Sequence, residues 1–188
     1  MKVYELKLPG VKIIEPDYYE DFRGYSCETY SAIKLDKEFD INETFVQDNH
    51  SLTYKKHTIR GIHFQINPKP QAKIVRCIRG KILDVVVDLR SDSPYFRMWQ
   101  SIELSENNRK QLYIPKGYGH AFLTLEDNSE VLYKLSDFYE PKYDRAIAWN
   151  DPDINILWGV ENPIISQKDI DAPLLKNSDV NFSVLINK

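Results

Sequence analysis

The sequence predicts an all-β fold, and three observations carry that prediction. Between Thr58 and Asp88, three runs rich in branched apolar residues are separated by a Pro-rich connection (Asn67 to Gln71) and a tight Arg79-Gly80 turn, the pattern of consecutive antiparallel strands. The chain carries 12 tyrosines against 7 glycines, which suits pleated strands better than disorder. Its 188 residues fall within the range of one β-sandwich or barrel, and 42% hydrophobic residues suffice for a packed core.

Taken in order, Lys2 to Ile14 reads as one or two opening strands broken at Pro9-Gly10, followed by a charged connection from Asp17 to Gly24. Tyr25 to Tyr30 resumes strand alternation, and Ala32 to Asp40 is a helix candidate. Phe45 to His50 is short and polar, with three amide or carboxylate side chains in a row, and reads equally as a turn or as a functional segment. After the central strands, Trp99 to Leu104 alternates, and Ser105-Glu-Asn-Asn108 resembles a helical turn with a serine cap. Gln111 to Pro115 leads into Lys116-Gly-Tyr-Gly-His-Ala-Phe-Leu123, and Val131 to Leu135 and Ala146 to Trp149 read as the last strands. Ser166-Gln-Lys-Asp169 opens a short helix, because S-x-x-D approximates a capping box. Asn177 to Lys188 is either an edge strand or a frayed tail.

Into this β core the chain places Arg60, His63, Gln65, Lys73 and Arg76, groups costly to bury without partners or a wet cavity to face. Side chains two apart in a strand share a face, so Lys73, Val75 and Cys77 point one way and Ile74, Arg76 and Ile78 the other. His63 and Gln65 likewise face together, but Arg60 has the opposite parity. Either a bulge at Gly61 shifts the register so that Arg60 and His63 reach one cavity, or Arg60 serves a different cavity, such as a neighbouring subunit's.

The formal charge of -3 offers no general attraction for nucleic acid or anionic membrane. No apolar segment approaches the roughly 18 residues of a membrane span, and no apolar leader follows Met1, so a cytoplasmic protein is expected. Cys27 and Cys77 lack C-x-x-C spacing, and neither a disulfide framework nor a zinc site is predicted. His50 and His57 read as surface or turn residues.

The segment Ile114-Pro-Lys-Gly-Tyr-Gly-His-Ala-Phe-Leu-Thr124 is similar to the second cupin motif, P-x-G-x-x-H-x-x-x-N, with threonine in the last place. That resemblance implies a double-sheet jelly roll, cupin-like, with a few short peripheral helices. Many cupins bind metal through H-x-H and a carboxylate, but here His63-Phe-Gln65 stands where H-x-H would be. Two imidazoles make a poor site for a transition metal, and no metal is predicted.

Further motifs follow in order: Phe45-Val-Gln-Asp-Asn-His50, Ile59-Arg-Gly-Ile-His-Phe-Gln65, Ala72-Lys-Ile-Val-Arg-Cys77, Asp84-Val-Val-Val-Asp-Leu-Arg90, Gln111 to Phe122, Leu132-Tyr-Lys134 and Ser166 to Leu175. Together they resemble the dTDP-4-dehydrorhamnose 3,5-epimerase family from about Gly10 to Leu175, which makes 1–188 one jelly-roll domain with a core at about 10–175 and a C-terminal extension at 176–188. The resemblance implies a homodimer without metal or organic cofactor, acting on a dTDP-linked 4-keto-6-deoxyhexose.

It also assigns roles. His63 is the base, Asp169 orients and polarises it, Lys73 approaches the C4 oxygen and Tyr133 donates a proton. Arg23, Arg60 and Lys168 bind the phosphate-sugar region, and Glu28, Gln47, Asp48 and Asn49 contact nucleoside or sugar. Tyr139 stacks on thymine and His120 contacts sugar or phosphate. Asp144 stands where the family usually has glutamate, one methylene longer.

Each catalytic residue also has a plainer reading: a structural histidine, a helix-cap acid, an exposed strand-end lysine and a packed tyrosine. The chemistry nevertheless fits, since inversion beside a ketone needs a base, enolate stabilisation and an acid on the other face. Three alternatives remain open at this level: a single-position 3- or 5-epimerase on a related nucleotide sugar, a non-catalytic sugar-nucleotide binder, and a metal-dependent cupin.

Overall fold

Period-two alternation dominates the chain because each long strand must bury one face against the opposite sheet. The computed structural model describes residues 1–184. In chain order it contains β1 (Lys2–Glu5), β2 (Lys12–Glu15), β3 (Tyr18–Asp21), β4 (Gly24–Cys27), α1 (Ala32–Phe39), β5 (Gln47–Thr53), β6 (Thr58–Gln65) and β7 (Lys73–Arg79). Then come β8 (Lys81–Asp88), β9 (Trp99–Ser105), β10 (Gln111–Ile114), β11 (Tyr118–Thr124), β12 (Ser129–Leu135), β13 (Asp144–Ala146), β14 (Ile164–Ile165) and α2 (Gln167–Ile170).

The strands form two sheets, ordered β1-β2-β10-β7-β12-β5 and β13-β6-β11-β8-β9, with β14 also pairing with β6, and they face each other as a jelly-roll sandwich. Their shared interior is apolar at one end: Val75, Cys77, Leu112 and Val131 from the first sheet meet Ile82, Val86, Leu104 and Phe122 from the second. Truncating one of these, such as Leu112→Ala, is expected to cost about 2–5 kcal/mol. The back of the second sheet carries Ile59, Ile62, Phe64, Val85 and Val87 and is covered by the C-terminal loops through Trp158, Leu175 and Phe182. The back of the first sheet is partly covered by α1, whose Leu35 packs with Ile14, Ile74 and Tyr113. Asp40, in the left-handed conformation, ends that helix, and the Ile41 N–H bonds back to the Leu35 carbonyl.

Several expectations need correction. The charged connection from Asp17 to Gly24 folds into most of a hairpin, β3 paired with β4, and the strand expected over Tyr25 to Tyr30 ends at Cys27. Tyr18 and Tyr25 pack edge to face at 5.0 Å, and the Arg109 guanidinium lies 4.6 and 4.2 Å from their ring centres. These cation–π contacts hold together a segment whose charges mask its pairing. Gln47-Asp-Asn is strand, not turn, because seven residues of β5 pair in register with β12 and override local turn preference.

Ser105 does cap a turn, since its hydroxyl accepts from the Asn108 N–H, but no helix continues from it. The strand expected over Ala146 to Trp149 instead lies at Asp144–Ala146, where it pairs with the edge of β6. The Ser166 cap forms as predicted, its side chain accepting from the Asp169 N–H. In the C-terminal segment Phe182 is buried against Phe64, and the Ser91 N–H donates to its carbonyl, so the chain there is anchored rather than frayed. Ile186, expected to continue the alternation, lies outside the described residues. Arg76, expected in the core, lines a hollow on the outer face of the first sheet with Ile74 and Leu132, because its parity is opposite to that of Lys73.

Candidate active site

The site begins with an irregularity in β6. On β11, His120 pairs with His63 and Phe122 with Arg60, so one residue of β11 faces two of β6, Gly61 and Ile62. That is a bulge on β6, and it puts Arg60 and His63 on the same face. Gly61 has φ +116°, and a Cβ there would lie 2.6 Å from the His120 carbonyl oxygen, so no other residue fits without displacing β11. Of the two possibilities for Arg60, the shared cavity is the one realised.

That cavity, about 400 Å³, opens between the sheets at the end away from the apolar interior. The first sheet contributes Gln47, Asn49 and Ser51 from β5, Lys73 from β7, and Tyr133 and Leu135 from β12. The second contributes Arg60 and His63 from β6 and His120 and Phe122 from β11. Gln71, Tyr139, Asp144 and Lys168 complete the wall. Thus His63 and Tyr133 project into one space from opposite sheets, with Lys73 on the same sheet as Tyr133.

Two histidine–aspartate pairs support this wall. His63 Nε2 lies 2.6 Å from Asp169 Oδ1, and α2, docked beside β6, delivers that carboxylate. A carboxylate only accepts, so Nε2 carries the proton and the lone pair of the neutral ring is on Nδ1. Burial works against charge on Asp169, but the His63 hydrogen bond and charge, with Ser166 and the Gly61 N–H, outweigh it and hold the carboxyl below its usual range. The second pair is deeper: His120 Nε2 is 3.0 Å from both oxygens of Asp84, which is completely buried. Burial lowers the His120 pKa despite the neighbouring Asp84, and Lys73 and His63 push it the same way.

Lys73 is buried, and desolvation pulls its ammonium down to about 8, against the pull of Asp84 and Asp144. Its Nζ donates to the His63 carbonyl at 3.4 Å, which leaves donors for a ligand. At the mouth, Lys168 Nζ is 2.6 Å from Asp144 Oδ2, and the Tyr139 hydroxyl donates to the same oxygen at 3.3 Å. That hydrogen bond from Asp144 raises the Lys168 pKa. Gln65, buried but behind the wall, accepts from the Glu140 N–H and donates to the Phe138 carbonyl, fixing the loop that carries Tyr139.

Ten sequence-predicted residues therefore line one cavity (Gln47, Asn49, Arg60, His63, Lys73, His120, Tyr133, Tyr139, Asp144 and Lys168), with Asp169 directly behind His63. Three do not. Asp48 alternates onto the outer face of β5 and pairs with Lys134. Arg23 sits on the β3–β4 hairpin, paired with Asp21, and Glu28 just beyond it pairs with Lys34, neither of them on the cavity wall of this chain. Asp84 was missed as a site residue because Asp84-Val-Val-Val reads as buried strand, and only the β8–β11 register brings it to His120. Phe122, Gln71 and Ser51 were also missed. Ser51 follows Gln47 and Asn49 at the same parity, a signal that becomes legible once β5 is known to be a strand. Among the described residues, no group of three or more His, Cys, Asp or Glu side chains is placed to hold a metal ion.

A family model described as dTDP-4-dehydrorhamnose 3,5-epimerase matches residues 5–177. The chain is 43% identical over 176 residues to the enzyme of that name from Salmonella typhimurium, covering 93% of this chain and 96% of that one. Among solved structures, the dTDP-4-dehydrorhamnose 3,5-epimerase of Bacillus anthracis, with TDP and PPi bound, superposes with a TM-score of 0.89 at 42% identity, covering 92% of this chain and 98% of that one. The dTDP-6-deoxy-D-glucose-3,5-epimerase of Legionella pneumophila, in complex with dTDP-4-keto-L-rhamnose, gives a TM-score of 0.90 at 36% identity over 95% and 94% of the two chains.

Proposed function

The chain belongs to the dTDP-4-dehydrorhamnose 3,5-epimerase family, and on that premise we propose how its cavity carries the reaction. The enzyme inverts C3 and C5 of dTDP-4-dehydro-6-deoxy-D-glucose to give dTDP-4-dehydro-L-rhamnose. Both carbons flank the C4 ketone, so a proton leaving either one produces an enolate on the same oxygen. A single cation beside that oxygen serves both steps.

In this reading His63 Nδ1 takes the proton, and Asp169 holds the ring and stabilises the imidazolium that results. Lys73 places its ammonium at the developing oxyanion. Tyr133 returns a proton to carbon from the other face; the phenolate then takes a proton from solvent while the His63 imidazolium releases its own, so that no net proton is consumed and both groups are reset for the second carbon. The supporting observation is that His63 and Tyr133 enter one cavity from opposite sheets, and that the buried Lys73 lines the same cavity. Arg60 and Lys168 bind the phosphate-sugar region, Tyr139 stacks on thymine, His120 contacts sugar or phosphate, Gln47 and Asn49 contact nucleoside or sugar, and Asp144 holds Lys168 at the mouth.

Turnover of dTDP-4-keto-6-deoxyglucose, with product stereochemistry read by NMR, tests the reading. Inversion at both C3 and C5 is expected; recovery of unchanged substrate, or inversion at one carbon, contradicts it.

The same reading makes residues 1–188 one epimerase domain that works as a homodimer, with Arg23 and Glu28 reaching the site of a second copy. The hairpin that carries Arg23 in its turn and is followed by Glu28 supports this, since Phe22 at its tip is 98% exposed and Tyr19 is 70% exposed. Mixing R23A with H63A protein checks the arrangement: hybrid dimers regain one complete site, and activity exceeds the sum of the two variants. Two free thiols, Cys27 and Cys77, are compatible with a reducing cytoplasm, where we place the enzyme. No helix among the described residues is long and apolar enough to cross a membrane.

A further inference from the structure

Nearly every polar group on the cavity wall already has a partner in the protein. Arg60 Nε donates to Thr53 Oγ1 at 3.0 Å and Nη2 to the Leu52 carbonyl, Gln47 Nε2 donates to Asn49 Oδ1 at 2.8 Å, and His120 and Lys168 are paired with aspartates. Ser51 differs. Among the described residues, its Oγ is the one buried side-chain polar atom that makes no hydrogen bond.

A shielded hydroxyl without a partner loses its hydration and gains nothing in exchange, whereas alanine would fill the same space without that cost. The site is also well placed. Ser51 lies on β5 at the parity of Gln47 and Asn49, pairs across with Val131, and lines the cavity along with Arg60 and Phe122. Its χ1 has three staggered wells, and since the hydroxyl makes no bond in the free enzyme, turning it into the cavity breaks none.

We propose that Ser51 is a further substrate-binding residue, whose hydroxyl turns into the cavity and donates a hydrogen bond to an oxygen of the bound sugar nucleotide beside the Arg60 guanidinium. The inference rests on the epimerase reading above. The acceptor is either a diphosphate oxygen or a hexose oxygen, and the chemistry of recognition is the same for both.

The test uses S51A and S51T in three measurements: thermal melting, dTDP affinity by calorimetry, and kcat and KM with dTDP-4-keto-6-deoxyglucose. S51A is expected to melt no lower than wild type and to bind about tenfold more weakly, as for one lost hydrogen bond, while S51T stays close to wild type. Weaker binding of dTDP itself identifies a phosphate acceptor; unchanged dTDP affinity with a raised KM identifies a hexose acceptor. Wild-type values in both binding measurements overturn the assignment, as does a lowered melting temperature with unchanged KM, or an S51T as impaired as S51A. Failure of the wild-type protein to turn over the keto-sugar instead overturns the epimerase reading, and this assignment falls with it.

Discussion

The two histidine–aspartate pairs of the cavity share their chemistry and differ in depth. The His63 side chain is 33% exposed and its acid arrives on a short helix, whereas the His120 side chain is 9% exposed and its acid sits on a neighbouring strand with no exposure at all. In the first pair one carboxylate oxygen meets the ring, while the second oxygen is near the Gly61 N–H; in the other pair both oxygens reach the same nitrogen. An imidazole at the cavity wall with a polarised lone pair suits proton transfer. One clamped in the interior suits a fixed contact and a fixed field. On the reading proposed above, burial separates two chemically similar pairs into a base and a fixed contact on the cavity wall.

Breaking each pair in turn sharpens that contrast. H63A should lower kcat about 10³-fold, within the usual range for a lost general base, while dTDP affinity changes little. H120A should mainly raise KM, and steady-state kinetics on the two variants decide between these patterns. D169N should cost about 100-fold in kcat with a modest change in stability. D84A strands His120 in the interior without its acid and is expected to destabilise the fold by about 3 kcal/mol in urea titrations. If D84A unfolds no more readily than D169N, the division of labour fails.

A smaller effect concerns pH. Burial brings Lys73 down to about 8, so the charge proposed to stabilise the enolate is lost as pH rises through that value, and kcat/KM should fall above it. K73R, with a guanidinium that stays charged, should move that limb out of range. In the unfolded chain the lysine holds its proton to about 10.5, so between the two values this group alone makes the native state more stable as pH rises. The smallest expected change is D144E, which restores the longer acid of the family; Lys168 and Tyr139 keep a carboxylate partner, and KM should stay within about threefold, less than the loss of one hydrogen bond.

How much of this was legible beforehand depended on whether the signal was local. A bulge at Gly61 was one of the two arrangements left by the parity of Arg60 against His63, a signal contained in four consecutive residues, and the β6–β11 register decides between them. The division of β7 into a Lys73, Val75 and Cys77 face and an Ile74, Arg76 and Ile78 face followed from alternation alone, but not which of the two turns inward. Gln47-Asp-Asn did not resolve as strand, because its pairing partner lies some eighty residues further on and no local preference announces it; hence Asp48 was grouped with neighbours that face the other way. Asp84 and His120 are 36 residues apart, and only the register of β8 against β11 joins them. The roles of Asp169 and Tyr133 came from family resemblance, since a capping acid and one tyrosine among 12 carry no such message by themselves.

The central claim is that one imidazole, at residue 63, removes the protons beside the ketone. Incubation of wild-type enzyme and H63A with dTDP-4-keto-6-deoxyglucose in deuterated water, followed by mass spectrometry and NMR, tests it most directly. The account predicts deuterium at both C3 and C5 with wild type and at neither with H63A; label appearing at either carbon with H63A, at a rate near that of wild type, would contradict it.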